Sequence, residues 1–206
     1  MSNLEHGIAA YDASDFSQAL EILLPLAQAG NFQAQKIVAN IYDFGHGVEV
    51  NAAEAVKWYR LAAEQGDPVA QNNLAALVLN ENPEEAMKWY FAAAKQGFPF
   101  AQDVLGDIYS GDLSVPGDVA EKFRDDAEAV KWYKKAAAHG SPIARHRLGE
   151  MYAIGQGVAK DEAQAVQWYR QVADKDYGTS QEVLAEAYQR GLLGLPYKDK
   201  FNSIRA

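Results

Sequence analysis

Cysteine is absent from the 206 residues. That excludes a disulfide framework and every thiolate metal site, and it fits a reducing compartment. No apolar stretch reaches the roughly eighteen residues that a membrane-spanning helix needs. Residues 1–30 carry neither the basic start nor the unbroken apolar core of a secretory signal, so the expected location is cytoplasmic. Basic residues are in the minority: 19 lysines and arginines stand against 28 acids, for a net charge of −9. Phosphate backbones are held chiefly by Lys and Arg, so neither nucleic acid nor an anionic membrane surface is an expected partner. A protein with a basic surface is favoured instead.

Groups that carry chemistry are also scarce. The four histidines are His6, His46, His139 and His146, and none has a second histidine three or four residues along the chain. No zinc pair on a helix face follows, and no metal or cofactor is expected. With no cysteine and no nucleophile-elbow sequence, no catalytic residue is assigned and the chain does not read as an enzyme.

What is present is a repeat. Trp-Tyr occurs at Trp58-Tyr59, Trp89-Tyr90, Trp132-Tyr133 and Trp168-Tyr169, at intervals of 31, 43 and 36 residues. Each pair closes one frame, as in Glu54-Ala55-Val56-Lys57-Trp58-Tyr59 and Glu128-Ala129-Val130-Lys131-Trp132-Tyr133. Small residues follow at Ala62-Ala63, Ala93-Ala94, Ala136-Ala137 and Val172-Ala173, and then a stop at Gly66, Gly97, Gly140 and Asp176. A divergent earlier copy runs from Ala19 to Gly30, with Ile22-Leu23 in place of Trp-Tyr.

A second block follows each stop: Ala34-Gln35 to Tyr42, Ala70-Gln71 to Ala75, Ala101-Gln102 to Tyr109, Ala144-Arg145 to Tyr152, and Ser180-Gln181 to Tyr188. Both blocks space apolar residues three and four apart, the period of a helix laid against a core. Glycines close the longer helices, and Pro68, Pro99 and Pro142 open the next ones. The predicted unit is a helix hairpin, repeated about five times. The constant place of the Trp-Tyr pairs beside the small residues marks them as packing residues rather than stacking platforms for bases or sugars. Replacing such a buried tryptophan by alanine should cost roughly 3–5 kcal/mol.

On these residues the chain resembles the Sel-1-like repeat family, a tetratricopeptide-like class. The pattern of a Leu-Gly-x-x-Tyr helix, a Gly-x-Gly-Val turn, Ala-x-x-Trp-Tyr and Ala-Ala-x-x-Gly is matched best from Ala34 to Gly66 and from Ala144 to Asp176. The resemblance implies an all-α fold: a right-handed solenoid of antiparallel helix pairs acting as a protein-interaction scaffold. The domain reading is one solenoid over 1–206. Divergent capping helices occupy 1–30, repeats 31–190, and a capping tail 191–206.

Two connections depart from the period. Asn80-Glu81-Asn82-Pro83 replaces the Gly-x-Gly-Val turn, and the segment 111–124 is longer than its counterparts. Such a loop is either drift or a carrier of specificity. The apolar tail from Leu192 to Ile204 is read as a cap folded back on the last repeat, with docking into a second copy as the alternative. The chain is thus expected as a monomer or a weak homodimer through that tail. The two Gly-x-Gly turns follow helices rather than strands, so they are not phosphate loops. His46, replaced by Gln156 in the later turn, reads as a tolerant exposed position.

By the same resemblance, the first helix of each pair lines the inner wall. Its exposed positions fall two before and two after the Leu of Leu-Gly, and one after the Tyr. On this sequence they are Lys36, Asn40 and Asp43; Asn72, Ala76 and Leu79; Asp103, Asp107 and Ser110; His146, Glu150 and Ala153; and Glu182, Glu186 and Gln189. Six of the fifteen are acidic and one is basic, which predicts a groove that steers a basic peptide or helix. The expected function is a non-catalytic adaptor. An inhibitor or immunity-type protein that occludes one effector is the alternative.

Overall fold

The computed structural model describes residues 2–112 and 116–173, and among these it contains eleven α-helices and no strand. The chain divides into two compact units, 1–101 and 102–206. In the first unit α1 (Asn3–Asp12), α2 (Phe16–Gln28), α3 (Phe32–Phe44), α4 (Ala52–Glu64), α5 (Pro68–Val78) and α6 (Pro83–Lys95) follow one another, each packed on its chain neighbour. Helix α7 (Pro99–Ser110) opens at the end of the first unit and runs into the second. The second unit continues with α8 (Gly117–Phe123), α9 (Asp126–Ala138), α10 (Pro142–Ile154) and α11 (Glu162–Ala173).

The helices begin where a short polar side chain can accept a hydrogen bond from the first turn. Asn31, Asn51, Asp67, Asn82, Asp125 and Ser141 each accept from the amide three residues on. Caps of this kind contribute about 1 kcal/mol each. They recur because every hairpin exposes two new helix starts whose amides need partners. Several helices end just before a glycine in the left-handed region, such as Gly66 (φ 95°) and Gly140 (φ 94°).

Small residues set how closely the paired helices approach. A Cβ built on Gly106 would lie 2.4 Å from the Tyr133 ring, and one on Gly149 would lie 2.5 Å from the Tyr169 ring. The glycine of Leu-Gly is therefore the seat of the tyrosine from the second helix of its own pair. Helices α1 and α2 repeat the arrangement with other residues: a Cβ on Gly7 would lie 2.4 Å from Leu23, which occupies the tyrosine's place.

A buried polar ladder holds one hairpin to the next. Gln35 donates through Nε2 to Ala27 O at 3.0 Å, and its Oε1 accepts from Gln65 at 2.7 Å. Gln71 does the same between Ala63 O (3.1 Å) and Gln96 (2.9 Å). In the second unit His139 Nδ1 lies 2.9 Å from Gln102 Oε1, and Arg145 donates to Ala137 O at 3.2 Å. Gln35, Gln71 and Gln102 are nearly inaccessible, so carbonyls near the helix ends are met by buried side chains.

The Gly-x-Gly turns dock on the preceding hairpin. Gln156 donates to Asp126 Oδ1 at 2.8 Å and to Ser110 O at 3.2 Å. In the first unit His46 stacks on Phe16 with ring centroids 4.3 Å apart. His46 is thus half-buried rather than exposed, and it varies to Gln156 because two different contacts serve one docking point. The long connection after α7 includes the extra helix α8, whose Val119 and Ala120 are buried.

Candidate interaction face

In two of the pairs the first helix presents its polar side chains in a node centred on the hydroxyl of a buried tyrosine. In the first unit Tyr59, on α4, reaches α3 and α5. Its hydroxyl lies 2.5 Å from Asn40 Oδ1 and 3.3 Å from Asp43 Oδ2, and it accepts from Asn73 Nδ2 at 3.2 Å. Burial, reinforced by the Asp43 charge, pushes the phenol well above its ordinary range, so it stays a neutral donor. Nearby, Lys36 on α3 forms an ion pair with Asp67, the cap of α5, at 2.8 Å.

The second unit builds the same node from charged residues. Tyr133, on α9, donates to Asp107 Oδ1 at 2.6 Å, and its oxygen lies 3.2 Å from Ser110 Oγ. Arg147, on α10, fills the place that Asn73 takes in the first unit. Its guanidinium lies 2.6 Å from Asp112 Oδ2, 3.1 Å from Glu150 Oε2 and 3.9 Å from Asp107 Oδ1. His146 Nε2 stands 3.4 Å from the other oxygen of Glu150. Beside this network is a cavity of about 280 Å³, with Asp112, Arg124, Tyr133, Glu150, Met151 and Gln156 in its lining.

The electrostatics follow from depth. Burial raises the Asp107 carboxyl, offset in part by the Tyr133 hydrogen bond and the Arg147 charge. Glu150, nearer the surface, is lowered chiefly by the His146 hydrogen bond and then by Arg147. Asp103 lies deepest, 6 % exposed, and desolvation raises it to about 6 against the lowering effect of Ser141.

The structure places the expected wall residues unevenly. Asn40, Asp43, Asn72, Asp107, His146 and Glu150 are half-buried, with polar atoms engaged in or beside the nodes. Asp103 departs from the expectation of an exposed position, because the cap of α10 covers it. Ala76 and Leu79 supply no polar group beneath Tyr90, whose hydroxyl is raised by burial alone. Glu182, Glu186 and Gln189 lie outside the described residues, as do Asp176, Leu184, Tyr188 and the tail 191–206. So does the part of the long loop at 113–115.

Among the Trp-Tyr pairs, Tyr59, Tyr90, Tyr133 and Tyr169 are buried, as are Trp58 and Trp132. Trp89 and Trp168 are only half-buried. In the first two Trp-Tyr copies the Glu of the frame accepts from the indole one turn later: Trp58 donates to Glu54 at 2.9 Å and Trp89 to Glu85 at 3.2 Å. At Trp168 that Glu is Gln164, and the indole nitrogen finds no acceptor.

Nothing in the repeat pattern marks Arg147, Asn73 or Ser141, and Asp112 is marked only as part of the long 111–124 connection. Their only signal is positional: Arg147 and Asn73 each precede the leucine of their block, and Ser141 occupies the cap position of Asp67. Among the described residues no three histidines, aspartates or glutamates are grouped so as to hold a metal ion. No described helix is long and apolar enough to cross a membrane.

A family model described as the Sel1 repeat matches residues 33–67, 68–98, 99–141 and 142–177. Among solved structures, a Sel1 repeat protein from Oxalobacter formigenes is 33 % identical, with 91 % of this chain and 76 % of that one covered at a TM-score of 0.78. The c5321 protein, a protective antigen of uropathogenic Escherichia coli, is 29 % identical at a TM-score of 0.85. It covers 98 % of this chain, which spans 44 % of that protein's length. The immunity protein Pa5087 of Pseudomonas aeruginosa shares the fold at 18 % identity and a TM-score of 0.53, with 89 % of this chain and 71 % of that one covered. Among curated proteins, none matches the sequence.

Proposed function

The chain belongs to the Sel1 repeat family, and from that premise we propose that it is a non-catalytic adaptor whose first helices receive a partner protein bearing basic side chains. Sel1 repeats generally serve protein–protein interaction. One observation carries the sharper reading. At the node of Tyr133, three carboxylates, Asp107, Asp112 and Glu150, converge on the single guanidinium of Arg147. Two of these carboxylates, Asp112 and Glu150, line an open cavity, and acids presented to solvent in this way speed the encounter with a basic partner and fix its register.

The variable positions support the same reading. Two residues after the leucine of each block stand Asn40, Ala76, Asp107 and Glu150, while the packing residues of the frame barely change. A repeat that varies its first helices and keeps its core presents a different side chain at the same register of each copy.

The test is affinity capture from native lysate at low and moderate salt, with the wild-type chain compared against an Asp43→Asn, Asp107→Asn, Glu150→Gln variant. Neutral isosteres keep the acceptors of Tyr59 and Tyr133, which charge reversal at Asp107 would destroy. The reading expects a stoichiometric partner that weakens with salt and is lost in the variant. A partner held equally by both proteins at both salts refutes it.

A further inference from the structure

Arg147 is foreign to its position in the repeat. The residue before the leucine (Val38 in the first copy) is Ile37, Asn73 and Val104 in the other described copies, so packing does not call for a guanidinium there. Yet the side chain is folded onto the cavity wall, with Nη2 at 2.6 Å from Asp112 Oδ2 and Nη1 at 3.1 Å from Glu150 Oε2. Two opposed carboxylates thus grip two nitrogens of one planar group, the arrangement by which arginine is recognised across interfaces. Asp112 itself comes from the lengthened connection after α7, whereas Arg147 comes from α10 of the following repeat.

Beside that grip the cavity is open, with a volume of about 280 Å³. The rest of its lining is mixed: Met151, Tyr133 and Gly111 stand beside the polar Ser110 and Gln156, so a side chain with an aliphatic stem and a polar head finds both kinds of contact there. Arg124 crosses Gly111, its guanidinium carbon 3.8 Å from where a Cβ would stand, and it is largely exposed at the edge. The site therefore holds one guanidinium and has room for the side chain of another.

Resting on the adaptor reading above, we propose that Arg147 is a built-in competitor: it occupies in cis the carboxylates that receive an arginine side chain of the partner. An incoming arginine exchanges one guanidinium for another at Asp112 and Glu150, so the network never has to stand unpaired. Arg147 swings toward solvent, where its released charge regains hydration. The contact weakens binding to any single stray arginine, and it lets a segment with further contacts along the first helices win the exchange. Lysine, a point charge without the fork, displaces Arg147 less well.

The experiment uses the full chain and an acetylated, amidated hexa-arginine peptide as probe, with hexa-lysine as comparison, by calorimetry at low salt. Arg147→Met is expected to bind hexa-arginine at least tenfold more tightly than wild type, and Asp112→Asn in that background to remove the gain. Equal or weaker binding by Arg147→Met overturns the proposal. Should removal of Arg147 unfold the chain, the wild-type protein carrying methyl-labelled methionine gives the answer. The Met151 methyl resonance is expected to shift on titration with acetyl-arginine amide and to move less with acetyl-lysine amide. A Met151 signal indifferent to both overturns the competitor.

The two readings fail separately. A lysate partner lost in the neutralised variant, with no gain in Arg147→Met, sinks the competitor and keeps the adaptor. A gain in Arg147→Met with a lysate partner indifferent to the neutralised variant keeps the competitor's exchange chemistry and sinks the basic-partner reading.

Discussion

Both carboxylate oxygens of Asp103 lie on the hydroxyl of Ser141, at 2.9 and 2.7 Å, and that hydroxyl oxygen also caps α10 by accepting from the Ala144 amide at 3.1 Å. A serine hydroxyl carries one proton. It can donate to only one of the two oxygens at a time, so the ionised carboxylate is buried with half of its acceptors unmet. The equivalent joint in the first unit has the opposite layout, with Lys36 on the helix and Asp67 as the cap, and there the charges cancel.

A pH dependence follows from that contrast. The folded carboxyl of Asp103 titrates at about 6, above the ordinary value of 3.8, because burial disfavours its charge. The folded state therefore holds this proton more tightly than the unfolded chain does. The contribution to stability is fully present below pH 4 or so, and it is lost as pH rises through about 6. Asp103→Asn removes the titration while keeping an acceptor for Ser141. In urea unfolding at pH 7.5 the variant is expected to be more stable than wild type, with the gap closing at pH 4.5. A gap that is constant across that range contradicts the assignment.

Glycine at the helix crossing makes a second prediction, about stability alone. A Cβ at position 149 would stand 2.5 Å from the Tyr169 ring, and no side chain atom tolerates that distance. Gly149→Ala must push the ring or the helix aside, and overpacking of this kind costs roughly 1–3 kcal/mol. That outweighs the gain of up to about 1 kcal/mol that alanine brings to a helix interior. Gly117, with nothing within 4 Å of its would-be Cβ, is the control: Gly117→Ala is expected to be neutral or slightly stabilising. Thermal unfolding of the two variants should move in opposite directions, or at least differ by several degrees.

How much of this could be read from the chain depends on the range of the interaction. The repeat frame, the helix starts and the pairing of helices are local, since caps, periods and glycine stops act within a few residues. They could be placed from Trp58-Tyr59, Asn51 or Gly66 alone. The nodes could not, because each joins residues from three helices. Asp107 looked like a free wall residue until Tyr133 from one helix and Arg147 from another closed on it. Asp103 looked exposed by its register, yet the cap of α10 lies over it. The repeat frame marks the Trp-Tyr pair as one packing element, whereas the tyrosine is the buried partner and the tryptophan at position 89 stays half in solvent. A period says which residues share a face, but not which of them the next hairpin covers.

The tryptophans should therefore separate in their cost of removal. Trp58 is 4 % exposed and its indole is satisfied by Glu54, so Trp58→Ala is expected to lose roughly 3–5 kcal/mol. Trp89 gives up less contact on truncation, and Trp89→Ala should cost clearly less than Trp58→Ala under the same denaturant. Equal losses would mean that Trp89 is as well packed as Trp58, against its half-exposed position.

The buried tyrosines allow the sharpest comparison, because their hydroxyls differ while their rings do not. Tyr133 donates to Asp107, a carboxylate already raised by burial. Hydrogen bonds to charged groups contribute about 1.5–3 kcal/mol, and their loss leaves the acceptor exposed to its full desolvation. Tyr90 has Ala76 and Leu79 where Asn40 and Asp43 stand beneath Tyr59, so its hydroxyl meets no such acceptor. Tyr90→Phe is therefore expected to change stability by less than about 0.5 kcal/mol, in either direction. Tyr133→Phe also removes the interaction that holds the Asp107 carboxyl down, so that carboxyl rises further and its proton is held more tightly in the folded state. The penalty of Tyr133→Phe must then grow as pH rises, because the charge it abandons exists only when Asp107 is ionised. Unfolding both variants at pH 5 and pH 8 decides the matter: a penalty at Tyr133 independent of pH would mean that the hydroxyl serves Ser110 rather than Asp107.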